Sequence, residues 1–395
     1  MAEKRPTILQ IIPELDTGGA ELSTIEIAEA IERAGGRAIV LSEGGRLVQR
    51  LRDTGAELRF FAAATKSPFR MLWNARRIAR MVKRDGIDLV HARSRAPAWS
   101  TLLAARQTDV PFVTTYHGAY NERSPIKWLY NSVMARGDVV IANSHYTADL
   151  IRTRYGTPLA RLQVIYRGVD DRWFDPAKVE DQRVNALRKE WAVPPGARVI
   201  LNAARLTRWK GQSVLIEAAK LLHEQGKLAG AAVVLAGDPQ GRDGYQRQLE
   251  READNAGLSE HVRIVGHVDD MPAAFFAAHV AVIASIEPEA FGRAAAEAQM
   301  MGTPVIATDI GAPPETVKSA SRVPADEATG WLVPANDAGR LAEALAAALA
   351  LTPEERARMG AHARAHIAHN FSLEGMKQQT LKVYDGLLGT HLAAG

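Results

Sequence analysis

The sequence predicts an α/β fold in which two doubly wound, Rossmann-like domains face each other across a cleft. Three observations lead to this prediction. Short apolar, β-rich runs alternate with helical segments in both halves of the chain, which is the pattern of parallel sheets covered by helices. The 395 residues suffice for two domains with substantial cores. The stretch 170–197 contains Pro176, Pro194, Pro195 and Gly196 but no strong period, and we interpret it as a hinge region between the halves.

The predicted elements follow the same alternation in each half of the chain. In the first half we expect strands at 7–12, 37–41, 58–61, 88–91, 110–116 and 138–142, with the first helix at 20–34. In the second half we expect strands at 198–202, 231–236, 262–265, 280–284 and 304–308, and helices at 293–301, 338–351, 353–368 and 373–388.

The composition, 47% hydrophobic and 24% charged, is that of an ordinary globular protein. Cysteine is absent, which excludes disulfides, thiolate metal sites and a cysteine nucleophile, and fits a reducing compartment. The first residues lack the apolar core of a signal peptide, and the apolar runs are too short to span a bilayer. We therefore expect a cytoplasmic protein without a transmembrane anchor.

The net charge of +4 is unevenly distributed along the chain. Residues 1–175 carry 26 Lys and Arg against 19 Asp and Glu, a charge of +7, whereas the remainder carries 23 against 26, a charge of −3. Part of the excess lies in a predicted amphipathic helix at 69–84, which is either a solvated face or a contact with anionic lipid headgroups or a phosphorylated glycolipid. Nucleic acid is not an expected partner, because no recognised binding motif accompanies the charge. One face of this helix carries Met71, Ala75, Ile78 and Val82, and the opposite face carries Trp73, Arg77, Arg80 and Arg84.

Two carboxylates flank a predicted loop-to-helix junction in the second half. Glu289 follows the buried strand 280–284, and Glu297 lies on the helix that begins near Gly292. Ligands bind at the carboxyl ends of strands in doubly wound sheets, and a helix that begins there directs free N–H groups at an anion. A diphosphate suits this junction, and the two carboxylates can hold hydroxyl groups on either side of it.

Two further segments suit a phosphorylated ligand. Arg205 and Lys210 follow the first strand of the second half, where two cations can neutralise a leaving diphosphate. Gly18 and Gly19 follow the first strand of the chain, where glycines allow backbone N–H groups to approach a phosphate closely.

These motifs, in this order, resemble the retaining glycosyltransferases of family 4, the group 1 glycosyltransferases with the GT-B fold. The resemblance rests on Glu-x7-Glu from Glu289 to Glu297, on Arg-x4-Lys-Gly from Arg205, and on the Thr-x-His segment that ends at His117. It covers nearly the whole chain and is strongest over 202–334. In one departure, Arg167 stands before Gly-Val-Asp where many members carry Asn.

The resemblance implies transfer of a sugar from a nucleoside diphosphate to an acceptor hydroxyl with retention of configuration. It implies an acceptor-binding domain at 1–172, joined by a crossing helix at 373–390, and a nucleotide-sugar-binding domain at 173–372. The chain contains no Asp-x-Asp motif, so we expect no metal requirement and no cofactor besides the donor substrate. The resemblance implies catalytic roles for His117, Glu289, Arg205 and Lys210, and donor binding by Gly18, Gly19, Gly237, His267, Val268, Phe291, Gly292 and Glu297.

Three other functions were weighed against this one. A two-domain dehydrogenase should carry Gly-x-Gly-x-x-Gly, which is absent. A nucleotide-sugar epimerase on the same scaffold would need no acceptor, and a non-catalytic sugar-nucleotide-binding or membrane-binding protein would need no transfer chemistry. Among donors, UDP-glucose, UDP-galactose, UDP-N-acetylglucosamine and GDP-mannose all remain open. The basic first half favours an anionic or lipid-linked glycan acceptor, such as a lipopolysaccharide core or a polysaccharide precursor, at the inner face of the cytoplasmic membrane.

Overall fold

The computed structural model describes residues 5–16, 18–118, 120, 124–241 and 243–394. Contacts within the chain divide it into two compact units. Unit 1 comprises the residues up to Gly168 together with the segment that begins at Glu374, and unit 2 comprises Val169–Leu373.

Unit 1 is built on a parallel sheet. In its described residues seven strands lie in the order β3-β2-β1-β4-β5-β6-β7, in which the crossovers reverse direction between β1 and β4. The strands are β1 Thr7–Ile11, β2 Arg37–Ser42, β3 Glu57–Phe60, β4 Leu89–Ala92, β5 Phe112–Tyr116, β6 Val139–Ala142 and β7 Leu162–Val164.

Helices connect these strands and bury their apolar faces against the sheet. Local sequence sets several helix ends: Gly86 stops one helix in the left-handed conformation, and Ser144 caps another by accepting a hydrogen bond from Thr147 N–H at 3.0 Å. The helices are α1 Gly19–Arg33, α2 Val48–Arg52, α3 Pro68–Asp85, α4 Arg95–Thr108, α5 Pro125–Ser132 and α6 His145–Tyr155.

Unit 2 is also built on a parallel sheet. Six strands of its described part lie in the order β10-β9-β8-β11-β12-β13, so the crossovers reverse direction between β8 and β11. The strands are β8 Arg198–Ala203, β9 Ala231–Ala236, β10 Val262–Gly266, β11 Val280–Ile283, β12 Val305–Thr308 and β13 Gly330–Val333. The helices are α7 Asp181–Glu190, α8 Gln212–Glu224, α9 Asp243–Asn255, α10 Met271–Ala277, α11 Arg293–Met300, α12 Pro313–Thr316, α13 Ala338–Ala350 and α14 Pro353–Asn370.

The last long helix, α15 Leu373–Leu388, belongs to unit 1 from Glu374 onward. The ammonium group of Lys377 donates to Glu29 on α1 at 2.9 Å, and the hydroxyl of Tyr384 lies 2.7 Å from Nδ1 of His91 on β4. Both Lys377 and Tyr384 are buried. Buried polar side chains therefore hold α15 against α1 and β4.

The central strands are apolar on both faces, as parallel sheets covered by helices require. All residues of β1, β9, β11 and β12 are buried. This pattern confirms the predicted fold class and explains why the continuous apolar runs in the sequence correspond to strands.

Two segments make contacts that the sequence did not reveal. The stretch 170–197, interpreted as a hinge region, contains α7, which Arg183 attaches to Asp270 through hydrogen bonds of 2.6 and 2.8 Å. On α3, the side chain of Arg77 is not in open solvent, because its guanidinium stacks over the rings of Phe61 and Trp73 at 4.6 and 4.5 Å. As predicted, Ala75, Ile78 and Val82 are buried.

Candidate functional site

The candidate site of unit 2 lies where the crossovers reverse direction. Strands β8 and β11 are hydrogen-bonded neighbours, but the chain leaves them toward opposite sides of the sheet order. The backbone N–H of Ile286 donates to the carbonyl of Trp209 at 2.8 Å, which joins the loop after β11 to the loop after β8. Such a reversal leaves a crevice at the carboxyl ends of the strands, where doubly wound sheets bind ligands.

Glu289 and Lys210 meet in this crevice although 79 positions separate them in the sequence. Nζ of Lys210 donates to Oε1 of Glu289 at 2.6 Å, and the side chains are 16% and 11% exposed. The hydroxyl of Ser285 donates to the same carboxylate oxygen. The partly buried Lys–Glu–Ser cluster therefore holds the carboxylate in a defined position at the strand ends.

The backbone around the cluster is closely packed. Gly211 has a φ of 71°, and a Cβ at this position would collide with the carbonyl of Ala284. Glu289 pairs with Gly311 in an isolated parallel bridge, and its carbonyl accepts from Ala312 N–H at 2.9 Å. Glycine at position 211 thus allows the Lys210 loop to reach the end of β11.

Arg205 lies on the same loop as Lys210 but is exposed, and its guanidinium donates to no residue in the described part of the chain. Its backbone carbonyl accepts from the side chain of Gln212 at 3.0 Å, which anchors the loop to α8. Gly237, after β9, is buried so closely that a Cβ would collide with the carbonyl of Ala204. Arg205 is therefore a cation available to a ligand, and Gly237 permits close contact between neighbouring loops.

The helix that begins after Glu289 has the predicted start. Gly292 adopts the left-handed conformation, with a φ of 81°, immediately before α11. Phe291 is buried and lies 6.0 Å from Phe371 between ring centroids. Glu297 is 14% exposed and pairs with Arg293 one turn earlier, at 3.0 Å from Nε. Glu297 thus lies on the second turn of α11 with its carboxylate already hydrogen-bonded.

His267 and Val268 follow β10, at the edge of the sheet. His267 is exposed, and its Nε2 lies 3.0 Å from a carboxylate oxygen of Asp269, whereas Val268 is buried. The backbone N–H of Gly237 donates to the carbonyl of Gly266 at 2.7 Å. The loops after β9 and β10 are therefore adjacent, so Gly237 lies near the segment that contains the other two residues.

The remaining predicted residues belong to unit 1. Gly18 precedes α1 and Gly19 is its first residue. His117 follows β5, and its Nδ1 lies 2.8 Å from a terminal nitrogen of Arg167, after β7. Burial, followed by the charges of Arg167 and Arg93, lowers the pKa of His117 well below its ordinary value. The imidazole of His117 is therefore neutral at physiological pH.

Sequence reasoning did not single out Ser285, Arg93 or Asn143. Ser285 directly follows the strand whose exit loop contains Glu289, so its position at the strand end was a usable signal. Arg93 and Asn143 also follow strands, β4 and β6, but isolated Arg and Asn residues after strands are too common to select by type.

Over the described ranges, no group of three or more His, Asp and Glu side chains is arranged to hold a metal ion. No helix in the same ranges combines the length and apolar character needed to cross a membrane.

Comparison with known proteins identifies the family of the chain. Residues 184–366 match the family model of the glycosyl transferases group 1, and residues 17–173 match that of Glycosyltransferase Family 4. A D-inositol 3-phosphate glycosyltransferase of Xylanimonas cellulosilytica is 31% identical over 312 residues, which cover 75% of this chain and 71% of the relative. An enzyme of the same name from Mycobacterium bovis is also 31% identical, and the match spans 63% of its length.

Solved structures of glycosyltransferases superpose on this chain. A glycosyltransferase from Rickettsia africae superposes with a TM-score of 0.89 at 33% identity, covering 98% of this chain and 100% of that one. The Anabaena protein HepE, in complex with UDP and glucose, superposes with a TM-score of 0.81 at 23% identity, covering 97% and 100% of the two chains, and supports the fold alone. The chain belongs to the group 1, family 4 glycosyltransferases and has their GT-B fold of two Rossmann-like domains.

Proposed function

We propose that this glycosyltransferase moves a sugar from a UDP- or GDP-linked donor to a hydroxyl of a glycan or glycolipid acceptor, with retention of configuration and without a metal ion. The observation that carries the proposal is the Lys210–Glu289–Ser285 cluster where the crossovers of unit 2 reverse direction. The cluster places a carboxylate beside a cation at the edge of the sheet where ligands of such folds bind.

The leaving diphosphate needs positive charge around it as the sugar departs. Lys210 and the exposed Arg205 supply two cations from one loop, and the start of α11 at Gly292 supplies N–H groups. We also propose that Gly18 and Gly19 of unit 1 offer backbone N–H groups to a phosphorylated ligand. Lys210, Arg205 and the N–H groups at the start of α11 thus take the place that a metal ion has in other transferases.

The donor's other parts are assigned to the neighbouring residues of unit 2. Glu289 accepts from the sugar hydroxyls, together with backbone groups of Phe291 and Gly292, and Glu297 accepts from the ribose hydroxyls. Gly237, His267 and Val268 line the segment proposed for the nucleoside. This proposal requires the carboxylate of Glu297, which now accepts from Arg293, to accept hydrogen bonds from the ribose hydroxyls as well or instead.

We propose attack by the acceptor on the same face of the sugar as the leaving group. The acceptor oxygen bonds to C1 as the bond from C1 to the diphosphate oxygen breaks, and the acceptor's proton passes to the departing phosphate. Glu289 already accepts hydrogen bonds from Lys210 and Ser285, which suits an orienting group better than a nucleophile. A covalent glycosyl-enzyme detected by mass spectrometry would overturn this step.

The acceptor class follows from charge and from one relative. Residues 1–175 are basic overall, which favours an anionic or lipid-linked acceptor such as a lipopolysaccharide core or polysaccharide precursor. The name of the Xylanimonas cellulosilytica relative adds an inositol phosphate to the acceptors worth testing.

We further propose that unit 1 contacts the anionic surface of the cytoplasmic membrane through α3. Phe69, Leu72 and Trp73 are 85%, 47% and 56% exposed near the start of this helix. The helix also exposes several cations on its outer surface and has no acidic residue before Asp85. Exposed aromatic residues beside basic ones suit a helix lying in a lipid interface. The exposed cations are Arg70, Arg76, Arg80, Lys83 and Arg84.

Vesicle co-sedimentation tests this contact. The protein should sediment with vesicles that contain phosphatidylglycerol and remain in solution with pure phosphatidylcholine. The double substitution Phe69→Ser with Trp73→Ser should abolish sedimentation, whereas Arg106→Gln, on the exposed surface of α4, should leave it unchanged. Equal sedimentation of the double variant and the unsubstituted protein would rule out α3 as the contact.

A donor panel tests the transferase proposal. UDP-glucose, UDP-galactose, UDP-N-acetylglucosamine and GDP-mannose are each incubated with the protein in the presence of EDTA, and slow donor hydrolysis and thermal stabilisation are measured. Glu289→Gln and Lys210→Ala are compared with Lys220→Ala, a change on the outer surface of α8. Transfer to candidate acceptors is then followed by NMR, which reports the anomeric configuration of the product.

The outcomes separate the alternatives. Hydrolysis of one donor that is lost in Glu289→Gln and Lys210→Ala but retained in Lys220→Ala supports the proposal and identifies the sugar. Interconversion of two donors without an acceptor would indicate an epimerase. Binding without turnover would indicate a sugar-nucleotide-binding protein, and turnover restored only by magnesium would contradict metal independence.

A further inference from the structure

Unit 1 contains a pocket of its own at the carboxyl ends of β4, β5, β6 and β7. Helices α1 and α15 complete its walls with Ile27, Met376 and other side chains. The space open to the centre of a water-sized sphere is about 20 Å³, slightly more than the roughly 10–15 Å³ that one buried water molecule requires. The pocket therefore suits one functional group of a ligand better than a whole nucleotide sugar.

Arg93 supplies a buried charge to this pocket. It is 3% exposed, and it forms no ion pair with any carboxylate in the described residues. Its hydrogen bonds to the hydroxyls of Thr24 and Thr115 are long, at 3.3 and 3.4 Å. Burial lowers the pKa of Arg93, and the groups that act electrostatically in the opposite direction are Tyr384 and Glu26. Burying a guanidinium without a close counter-charge is costly, so this arrangement favours a bound anion.

His117 supplies a hydrogen-bond donor. The guanidinium of Arg167 can only donate, so Nδ1 of His117 accepts at 2.8 Å and the proton of the neutral ring lies on Nε2. Nε2 is buried, and within the described ranges it has no hydrogen-bond partner. The ring therefore presents an N–H group that lacks an acceptor.

Asn143 is the third unsatisfied group. Its side chain is 1% exposed, and neither its amide nitrogen nor its amide oxygen has a partner among the residues that the structure describes. The great majority of buried side-chain polar atoms in proteins have a hydrogen-bond partner. A ligand that fills the pocket would supply the missing acceptor to the amide nitrogen.

Charged groups and hydrogen-bond donors thus line the same small pocket. Arg167 and Arg93 both line it, and the charge of each lowers the pKa of His117, which lines the same pocket. Two guanidinium groups and two neutral N–H donors match an oxyanion with several acceptor oxygens. A neutral sugar hydroxyl would leave the buried charge of Arg93 uncompensated.

We propose that this pocket of unit 1, formed by Arg93, His117, Asn143 and Arg167, binds one anionic group, a phosphate or a carboxylate, of the acceptor. The assignment of that anion to the acceptor rests on the proposed transferase function. The binding of an anion rests on the pocket alone.

Isothermal titration with inorganic phosphate at constant ionic strength tests the proposal. Saturating UDP is present, so that Lys210 and Arg205 of unit 2 are occupied, and the titration is repeated on Lys210→Ala without UDP. Phosphate should bind one site per chain, and Arg167→Gln and Asn143→Ala should each weaken it by roughly tenfold or more, as loss of a hydrogen bond to a charged group predicts. Arg106→Gln, an exposed arginine of the same unit, should bind as the unsubstituted protein does.

Titration with acetate in place of phosphate distinguishes a phosphoryl group from a carboxylate group. Tighter phosphate binding assigns the pocket to a phosphoryl group, and equal or tighter acetate binding assigns it to a carboxylate. Phosphate and acetate affinities unchanged in both Arg167→Gln and Asn143→Ala, with circular dichroism showing folded variants, would overturn the proposal. If UDP binds and the pocket fails this test, only the pocket assignment is lost; if the pocket passes and no nucleotide sugar binds, the transferase proposal fails instead.

Discussion

Glu289 is held from several sides. Lys210 and Ser285 donate to its carboxylate, and Ala312 donates to its backbone carbonyl. A carboxylate with these partners keeps one geometry while hydroxyl groups of a sugar approach. Such preorganisation contributes to catalysis because the group does not need to reorient at the moment of reaction.

The Lys210–Glu289 pair predicts non-additive kinetics. Glu289→Gln and Lys210→Ala should each lower kcat/KM for the donor by roughly 10² or more, the usual effect of removing one electrostatic contact of a transition state. The double variant should be little worse than either single variant, because each change already disrupts the other side chain. Steady-state kinetics of the four proteins measure this. Fully multiplicative losses would mean that the two residues act independently.

Buried histidines predict a loss of stability in acid. Burial, ahead of any neighbouring charge, lowers the pKa of His91, His117, His279 and His366, in the last case to about 4. Each is neutral in both states at pH 7.5 or above. As the pH falls through the ordinary histidine value near 6.5, the unfolded chain takes up protons that the folded chain does not.

The unfolding free energy should therefore fall by up to about 1.4 kcal/mol per pH unit for each of these histidines below about pH 6.5. Urea unfolding followed by circular dichroism between about pH 7.5 and about pH 5.5 measures the slope. A flat or rising stability over this interval would show that these rings are protonated in the folded protein.

At the scale of elements, Gly211 connects a turn to the site. Its left-handed conformation ends the 3₁₀ turn Arg208–Lys210, and its lack of a side chain permits contact with the carbonyl of Ala284. Gly226 is also left-handed, with a φ of 69°, but a Cβ there would meet nothing within 4 Å. A substitution at Gly226 therefore tests the left-handed conformation alone, whereas one at Gly211 tests the conformation together with the close contact to Ala284.

Gly226→Ala should cost about 1–2 kcal/mol of stability, the penalty of a left-handed alanine, with activity unchanged. Gly211→Ala should cost more and should also lower donor turnover, because the Lys210 loop must move away from β11. Thermal unfolding and donor hydrolysis of both variants measure the difference. Equal effects of the two substitutions would mean that the contact with Ala284 has no role in the site.

Most of the strands could be predicted because burial on both faces leaves continuous apolar runs. Helix α15 was predicted with its observed bounds, 373–388. Helix α7 was missed because only Leu187 in it is buried, so the sequence carries almost no apolar period. Strand β7, with three residues, is too short to give a pattern of its own.

The site was predictable only in part, for a similar reason. Strand ends and glycine positions are local, and they led to Glu289, Lys210 and Gly292. Contacts between distant segments have no local signal: the Arg167–His117 bond joins residues 50 positions apart, and the Lys210–Glu289 bond joins residues 79 positions apart. The buried charge of Arg93 could not be recognised before the fold showed that no carboxylate among the described residues pairs with it.

For the whole molecule, the two units divide the proposed ligands between them. The residues proposed for the nucleotide lie mostly in unit 2, and the anion pocket lies entirely in unit 1. A ligand that binds only the folded state stabilises the structure around its own site, by about 2.7 kcal/mol at a concentration of 100 times Kd. Local protection of backbone amides can therefore report which unit holds which ligand.

Hydrogen exchange followed by mass spectrometry should separate the two sites. UDP should slow exchange in the loops after β8 and β11 of unit 2, and Lys210→Ala should reduce this effect. Phosphate added to the UDP complex should slow exchange after β5, β6 and β7 of unit 1, and Arg167→Gln should remove that effect while UDP still protects unit 2. This pattern is expected because UDP and phosphate contact different strand ends. Protection of unit 1 by UDP without any change in unit 2 would contradict the assignment of the nucleotide to the Lys210–Glu289 site.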